Sequence, residues 1–206
     1  RIVNKYKTIE LNGVFIYLME IPEKEPDIEP LHLNEEETKR YFSIKNQQKR
    51  KEFSTTRKLK FLLFGNNTIQ YNESGSPFII NENNFLGISH AQNTVCIATT
   101  TKRIGIDLEL ISDKAKRVAK KFCNPDEQKI FDINSSFDMS LLWSFKECLY
   151  KISDRNELIF LEDLTVEKIN HQYIGNVRCK NGFEKYRLHF EVHNMLILTF
   201  TADEII

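Results

Sequence analysis

From Ile104 to Leu110 the residue types alternate strictly. Ile104, Ile106, Leu108 and Leu110 are apolar, and Gly105, Asp107 and Glu109 lie between them. That is the period of a β-strand, so Asp107 and Glu109 project from one face and the isoleucines and leucines from the other. Further on, Leu141 to Lys151 holds few strand formers, no Gly and no Pro, which predicts a helix. Trp143, Glu147 and Lys151 are spaced four apart along it and share a face. Where that face meets the polar face of the strand, three carboxylates converge beside a lysine. Hard oxygen donors with a cation nearby suit Mg²⁺ bound to a phosphate substrate. Taken alone, an Asp-x-Glu strand reads as a solvated face and a Glu–Lys pair as helix decoration; the two motifs together, in this order and at this separation, make the pattern specific.

Composition bounds the rest. The 206 residues are 41% hydrophobic, enough for one sizeable domain or two small ones. Lys+Arg and Asp+Glu are 29 each, so no global charge points to nucleic acid or a membrane surface. The 15 phenylalanines enrich a core without implying a function. Cys96, Cys123, Cys148 and Cys179 are scattered, with no Cys-x-x-Cys or Cys/His spacing; neither a zinc site nor a disulfide framework is expected. They read as reduced thiols of a cytoplasmic protein. Arg1 to Tyr6 lacks the apolar core of a signal peptide, and no apolar run approaches ~18 residues. No Walker-type glycine-rich loop is present.

In chain order, Val14 to Ile21 reads as a strand and the proline-rich Pro22 to Pro30 as a loop. Asn34 before Glu35, Glu36 and Glu37 marks a helix start. Two helices are predicted, Glu35 to Ser43 and Gln47 to Phe64, the second stopped by Gly65-Asn66-Asn67. That second helix is basic, with Lys49, Arg50, Lys51, Arg57, Lys58 and Lys60; most of these suit a solvated face. Asn72 to Pro77 is turn chemistry. Phe85 to His90 and Val95 to Thr99 are strands. Lys114, Lys116, Arg117, Lys120 and Lys121 would line one side of a helix, and Asn124-Pro125-Asp126-Glu127 starts another. Beyond Lys151 the pattern is strand and turn, with Lys185 to Val192 and Met195 to Thr201 joined at His193-Asn194.

The complete Gly-x-Asp-x-Glu strand, Gly105 to Glu109, followed by Trp143-x-x-Lys146-Glu147-x-x-x-Lys151, resembles the signature of the 4′-phosphopantetheinyl transferase superfamily, and the length points to its Sfp-type branch. The resemblance implies an α+β, pseudo-two-fold duplicated fold of two similar lobes with the active site between them. Residues 1–100 would form the lobe contacting the nucleotide end of coenzyme A. Residues 101–206 would carry the Mg²⁺-binding acids and dock the carrier protein. Asp107, Glu109 and Glu147 would hold the metal. Glu147 would be the base for a serine hydroxyl, with Glu127 nearby in the site, and Lys151 would stabilise or protonate the leaving phosphate. Glu52 to Arg57 is similar to the family segment whose Arg holds the nucleotide, so Arg57, with Lys49, is expected at a phosphate. Ser89-His90 matches the family's Ser-His, the His meeting the pyrophosphate. The family's Gly-Lys-Pro turn stands here as Gly75-Ser76-Pro77, so a neutral Ser76 replaces a Lys that touches coenzyme A.

The expected activity is Mg²⁺-dependent transfer of the phosphopantetheine arm of coenzyme A to a serine of an acyl or peptidyl carrier protein, with release of adenosine 3′,5′-bisphosphate. The basic run from Lys114 to Lys121 would dock the acidic carrier. Gly105 would let substrate approach the backbone, and Trp143 reads as a packing anchor. A monomer is expected, with no nucleic acid or membrane partner. Two alternatives are a non-catalytic module that binds coenzyme A or a carrier protein, favoured only by Ser76, and another Mg²⁺-dependent phosphate enzyme.

Overall fold

Asn34 opens the first helix through its side chain. Its Oδ1 accepts from Glu37 N at 2.8 Å while the Glu37 carboxylate accepts from Asn34 N at 3.2 Å, a reciprocal capping box. In the computed structural model, which describes residues 6–24, 33–79, 82–153, 155 and 157–205 (side chains to 201), this helix is α1 (Glu35–Ser43). Asn46 caps α2 (Gln47–Phe64), and Gly65, at φ 60°, ends it. Both helices have the bounds predicted from sequence. Most of the expected loop from Pro22 to Pro30 lies outside the described residues.

The chain divides into two compact units, residues 1–72 with 77–101, and residues 73–76 with 102–206. The first unit holds α1, α2 and a four-stranded antiparallel sheet, in the order β1 (Tyr6–Leu11), β2 (Val14–Glu20), β6 (Thr94–Thr100), β5 (Phe85–Ala91), with a small hairpin of β3 (Ile69–Tyr71) and β4 (Pro77–Ile79). Leu59 of α2 is buried with Met19, Ile69, Leu86, Val95 and Ile97. β1 and the small hairpin were not foreseen in the sequence.

The second unit begins with β7 (Ile106–Leu110), α3 (Asp113–Arg117) and two 3₁₀ turns, Ala119–Lys121 and Glu127–Lys129. It continues through α4 (Ser136–Ser153), β8 (Leu164–Ile169), β9 (Gln172–Cys179), β10 (Gly182–His193) and β11 (Leu196–Ile205). Every strand pair is antiparallel, in the order β7-β11-β10-β9-β8. The first strand of the unit is thus held at the sheet edge by the last. Asn194, at φ 56°, makes the expected turn between β10 and β11. α4 lies against β7, β11, β8 and β9, and Leu142, Phe145 and Leu149 are fully buried beneath it among Val166, Val177, Tyr186 and Leu188. Each such side chain contributes roughly 1.5–3 kcal/mol of burial.

Two expectations for this unit are corrected. The basic segment is no continuous helix: α3 ends at Val118 and a 3₁₀ turn follows, so Lys116 and Lys120 do not share a helical face. Asn124 caps, accepting from Asp126 N and Glu127 N at 2.9 Å each, but only one 3₁₀ turn follows.

Packing within the protein by itself requires glycine at position 105. A Cβ there would fall well inside contact distance of the Cys148 carbonyl on α4. The strand backbone is also tied in place: Gly105 N donates to Thr201 Oγ1 at 2.9 Å, and Thr201 N to Gly105 O at 3.0 Å. At Gly175, by contrast, the atoms nearest an added Cβ belong to the Leu149 side chain. Gly105→Ala should therefore destabilise the protein by roughly 3 kcal/mol, the upper end of overpacking costs, and Gly175→Ala by about 1 kcal/mol as Leu149 adjusts. Chemical denaturation of both variants checks this; equal losses would contradict the close helix–strand approach.

Candidate active site

β7 and α4 meet at Asp107. The antiparallel register sets Asp107 opposite Thr199 and Glu109 opposite Ile197, and α4 crosses both strands. Ser144 Oγ donates to Asp107 Oδ2 at 2.8 Å. Lys151 Nζ donates to Asp107 Oδ1 at 2.8 Å and to Ile106 O at 3.0 Å. Ser144 Oγ also lies 2.7 Å from Thr199 Oγ1, and Cys148 Sγ lies 3.0 Å from Thr199 Oγ1 and 3.2 Å from Thr199 O. Asp107 is only 5% exposed. Its polar face is covered by α4 and is not an open surface, while Ile106 and Leu108 on the other face are buried too.

The face that α4 turns to Asp107 runs through Ser144, Cys148 and Lys151, one residue round from the Trp143–Glu147–Lys151 face expected. Trp143 stacks on Phe160 with ring centroids 5.1 Å apart and meets Phe122 edge-on at 5.2 Å, as a packing anchor should.

The acids sense one another. Burial, then the charge of Asp107, raises Glu109 to about 7, Lys114 pulling against them and Glu147 adding to the rise. Burial and Asp107 likewise raise Glu147, opposed by Lys151. For Lys151, burial alone would lower the pKa, but the charge and hydrogen bond of Asp107 outweigh it and hold the ammonium above its ordinary value. Such a lysine keeps its proton and acts as a fixed positive charge. Burial and the Asp107 charge push the Cys148 thiol well up, so it remains a thiol.

Among the described residues, no group of three or more His, Cys, Asp or Glu side chains is drawn together as a ready-made metal cage. The donor set nonetheless fits Mg²⁺. The ion prefers one or two carboxylates completed by water and phosphate oxygens over an all-protein cage, and a divalent cation would relieve the repulsion recorded in Glu109 and Glu147.

Glu127 is not brought to these acids. It is 1% exposed and pairs with Lys146, itself fully buried, at 2.9 Å. Its Oε2 also accepts from Asn124 N at 2.9 Å and its Oε1 from Val166 N at 2.9 Å. Lys146 further donates to Phe160 O at 2.8 Å and to Phe122 O. Burial shifts both groups toward their neutral forms, raising Glu127 and lowering Lys146, against their mutual attraction. The pair fastens two loops and β8 to α4. Lys146 stood in the sequence motif without a role; a lysine among Phe145, Cys148 and Leu149 was the signal that it is enclosed.

In the first unit Arg57 is turned inward. It is 3% exposed, with Nε 2.8 Å from Glu37 Oε1 and its guanidinium over Phe53 at 4.5 Å. Its position ties α1 to α2, whereas a phosphate contact was expected. Lys60, 3.6 Å from Glu37, is lowered by burial. Lys49 is exposed, Ser89 is buried, and His90 is half-exposed with Nε2 2.9 Å from Glu52. Gly75 has φ 90°, the left-handed turn glycine permits; Ser76 follows it and Pro77 begins β4. In the basic segment, Lys116 pairs with Asp113 at 2.7 Å, and Lys114 is the cation whose charge reaches Glu109.

Residues 103–201, just under half of the chain, match the model of the 4′-phosphopantetheinyl transferase superfamily. No curated protein matches the chain. The mixed α+β architecture, with its antiparallel sheets and four helices among the described residues, fits that family's fold, and the match points to a transferase of the phosphopantetheine group. No helix among the described residues is long and apolar enough to cross a membrane.

Two outcomes test this electrostatic picture. Glu109 binds its proton more tightly folded, at about 7, than at its ordinary 4.5. Its stabilising contribution is therefore complete below about 4.5 and is lost as pH rises through about 7. In metal-free buffer, thermal melts should show Glu109→Gln gaining on wild type between pH 5 and pH 8; a constant difference would contradict the assignment. Lys146→Met should cost roughly 3–5 kcal/mol by stranding Glu127, and adding Glu127→Gln should recover part of that loss. Strictly additive losses in denaturant titrations would show that the two groups do not depend on each other.

Proposed function

We propose that this protein is a Mg²⁺-dependent 4′-phosphopantetheinyl transferase of the Sfp-type branch, moving the phosphopantetheine arm of coenzyme A to a serine of an acyl or peptidyl carrier protein. The observation that carries the proposal is the Asp107–Lys151 pair, with Glu109 and Glu147 both raised beside it, inside the segment that matches the superfamily. The two units are read as lobes of a duplicated fold, since each sets an 18-residue helix against an antiparallel sheet.

Asp107, Glu109 and Glu147 would hold Mg²⁺, which when bound neutralises charge on the pyrophosphate. Glu147, directly or through a water, takes the proton from the carrier serine hydroxyl. The serine oxygen then bonds to the phosphorus that bears the pantetheine arm, and the bond from that phosphorus to the bridging oxygen breaks. The electron pair leaves with adenosine 3′,5′-bisphosphate. Lys151, held firmly protonated, stabilises that developing negative charge and does not donate a proton to it.

The nucleotide end is assigned to His90, Lys49 and the Ser76-Pro77 turn, with Ser89 supporting His90. Glu52 would have to release His90 for an anion to bind. Arg57 serves indirectly, by fixing α1 against α2, and Glu127 serves by fixing Lys146 beside Glu147. The acidic carrier is assigned to Lys114–Lys121, where Lys114 already lies within electrostatic reach of Glu109. The protein is read as a cytoplasmic monomer.

The test is incubation with coenzyme A, Mg²⁺ and an apo carrier protein, read by intact mass. The carrier should gain one phosphopantetheine group with wild type, lose that gain when EDTA replaces Mg²⁺, and show at least a ~10³-fold slower gain with Asp107→Ala, in line with loss of a principal electrostatic group. Undiminished transfer by that variant would overturn the metal assignment. Binding of coenzyme A without transfer would favour the non-catalytic module.

A further inference from the structure

The contacts around Asp107 fix a direction. An ionised carboxylate only accepts hydrogen bonds, so at 2.8 Å Ser144 Oγ must give its one proton to Asp107 Oδ2. That leaves Ser144 Oγ an acceptor toward Thr199 Oγ1 at 2.7 Å, and the single Thr199 proton is shared between that oxygen and the Ser144 carbonyl at 3.2 Å; Thr199 donates to Ser144 in both arrangements. Thr199 Oγ1 is then an acceptor toward Cys148 Sγ at 3.0 Å. Donation thus runs from Thr199 to Ser144 to Asp107 and ends on the negative charge, while the Cys148 thiol donates to Thr199 at its Oγ1 or at its carbonyl, 3.2 Å away. Ser144 and Thr199 are wholly buried, so water does not compete, and a chain of donors pointing at one anion strengthens each link. On the carboxylate's other oxygen, Lys151 donates at 2.8 Å.

We propose that Ser144 and Thr199 are positioning residues for divalent-cation binding: their hydroxyls fix the orientation of the Asp107 carboxylate before the ion arrives. The inference rests on the metal reading of Asp107 given above. Neither residue belongs to the acid set that would hold the ion, and the Thr199 hydroxyl acts on Asp107 through Ser144. Without the chain, Asp107 Oδ2 loses the hydrogen bond from Ser144, and the cation must supply that part of its ordering. Partners that orient a metal ligand are worth about 10–100-fold in metal affinity.

Mn²⁺ titration of the full chain, followed by electron paramagnetic resonance of the free ion at pH 8, tests this without any turnover. Ser144→Ala and Thr199→Val should each weaken Mn²⁺ binding by at least about 10-fold, while Thr199→Ser, which keeps the hydroxyl, should stay within about 3-fold of wild type. Thermal melts identify any variant that has not folded, and Thr199→Val against Thr199→Ser decides the matter if Ser144→Ala is one. A wild type that binds Mn²⁺, with variants that bind it equally well, overturns the positioning role alone. A wild type that takes up no Mn²⁺ overturns the metal reading and this inference with it.

Discussion

Helix α4 approaches β7 so closely that position 105 has no room for a side chain. The rest of the second unit follows from that contact. β7 joins the sheet only through β11, the last strand of the chain, so Asp107 takes its place only when nearly the whole unit has folded. Thr201 and Thr199 on β11 then meet Gly105 and Ser144, which locks strand, helix and acid in one register. Under the proposed function, charge fixed in this way before anything binds would stabilise a transition state without the cost of rearrangement.

Successive residues of α4 carry two different uses of charge. Lys146 enters the core and is satisfied by Glu127 and two backbone carbonyls. Removing either member of such a pair is costly, yet the pair itself adds little net stability; its value here is to hold two loops against the helix. Glu147, next in the chain, stays beside Asp107 in a setting that disfavours its ionised form. Lys151, one turn on, is 33% exposed at its side chain and keeps its proton. One helix thus separates a buried structural ion pair from the acids and lysine of the candidate site by the rotation of a single residue.

Much of this was legible in the residues. The alternation about Asp107, the capping signal at Asn34 and the glycine stop at Gly65 are local rules, and local rules survive folding. The meeting of Asp107 with Lys151 was legible because periodicity assigns residues to faces. Other features were set by tertiary contacts that periodicity does not encode. Ser144 rather than Trp143 meets Asp107 because the Trp143 ring finds Phe122 and Phe160. Arg57 turns inward because Glu37, twenty residues earlier and already used in a capping box, lies within reach. Thr199 was a polar residue amid Ile197, Leu198 and Phe200, a signal of a buried polar contact whose partner the sequence alone does not name. The basic run after Ser112 has helical spacing, but the chain turns at Val118 and spacing no longer tells which side chains are neighbours.

The central claim is that the acids of β7 and α4 form one cation site. Crystals soaked in Mn²⁺ and measured at a wavelength where the ion scatters anomalously test it most directly. The account predicts a single strong anomalous peak contacted by carboxylate oxygens of Asp107 and Glu147, with Glu109 beside it, and its loss in Asp107→Ala. A peak at saturating Mn²⁺ that lies away from these residues, or none at all, would contradict it.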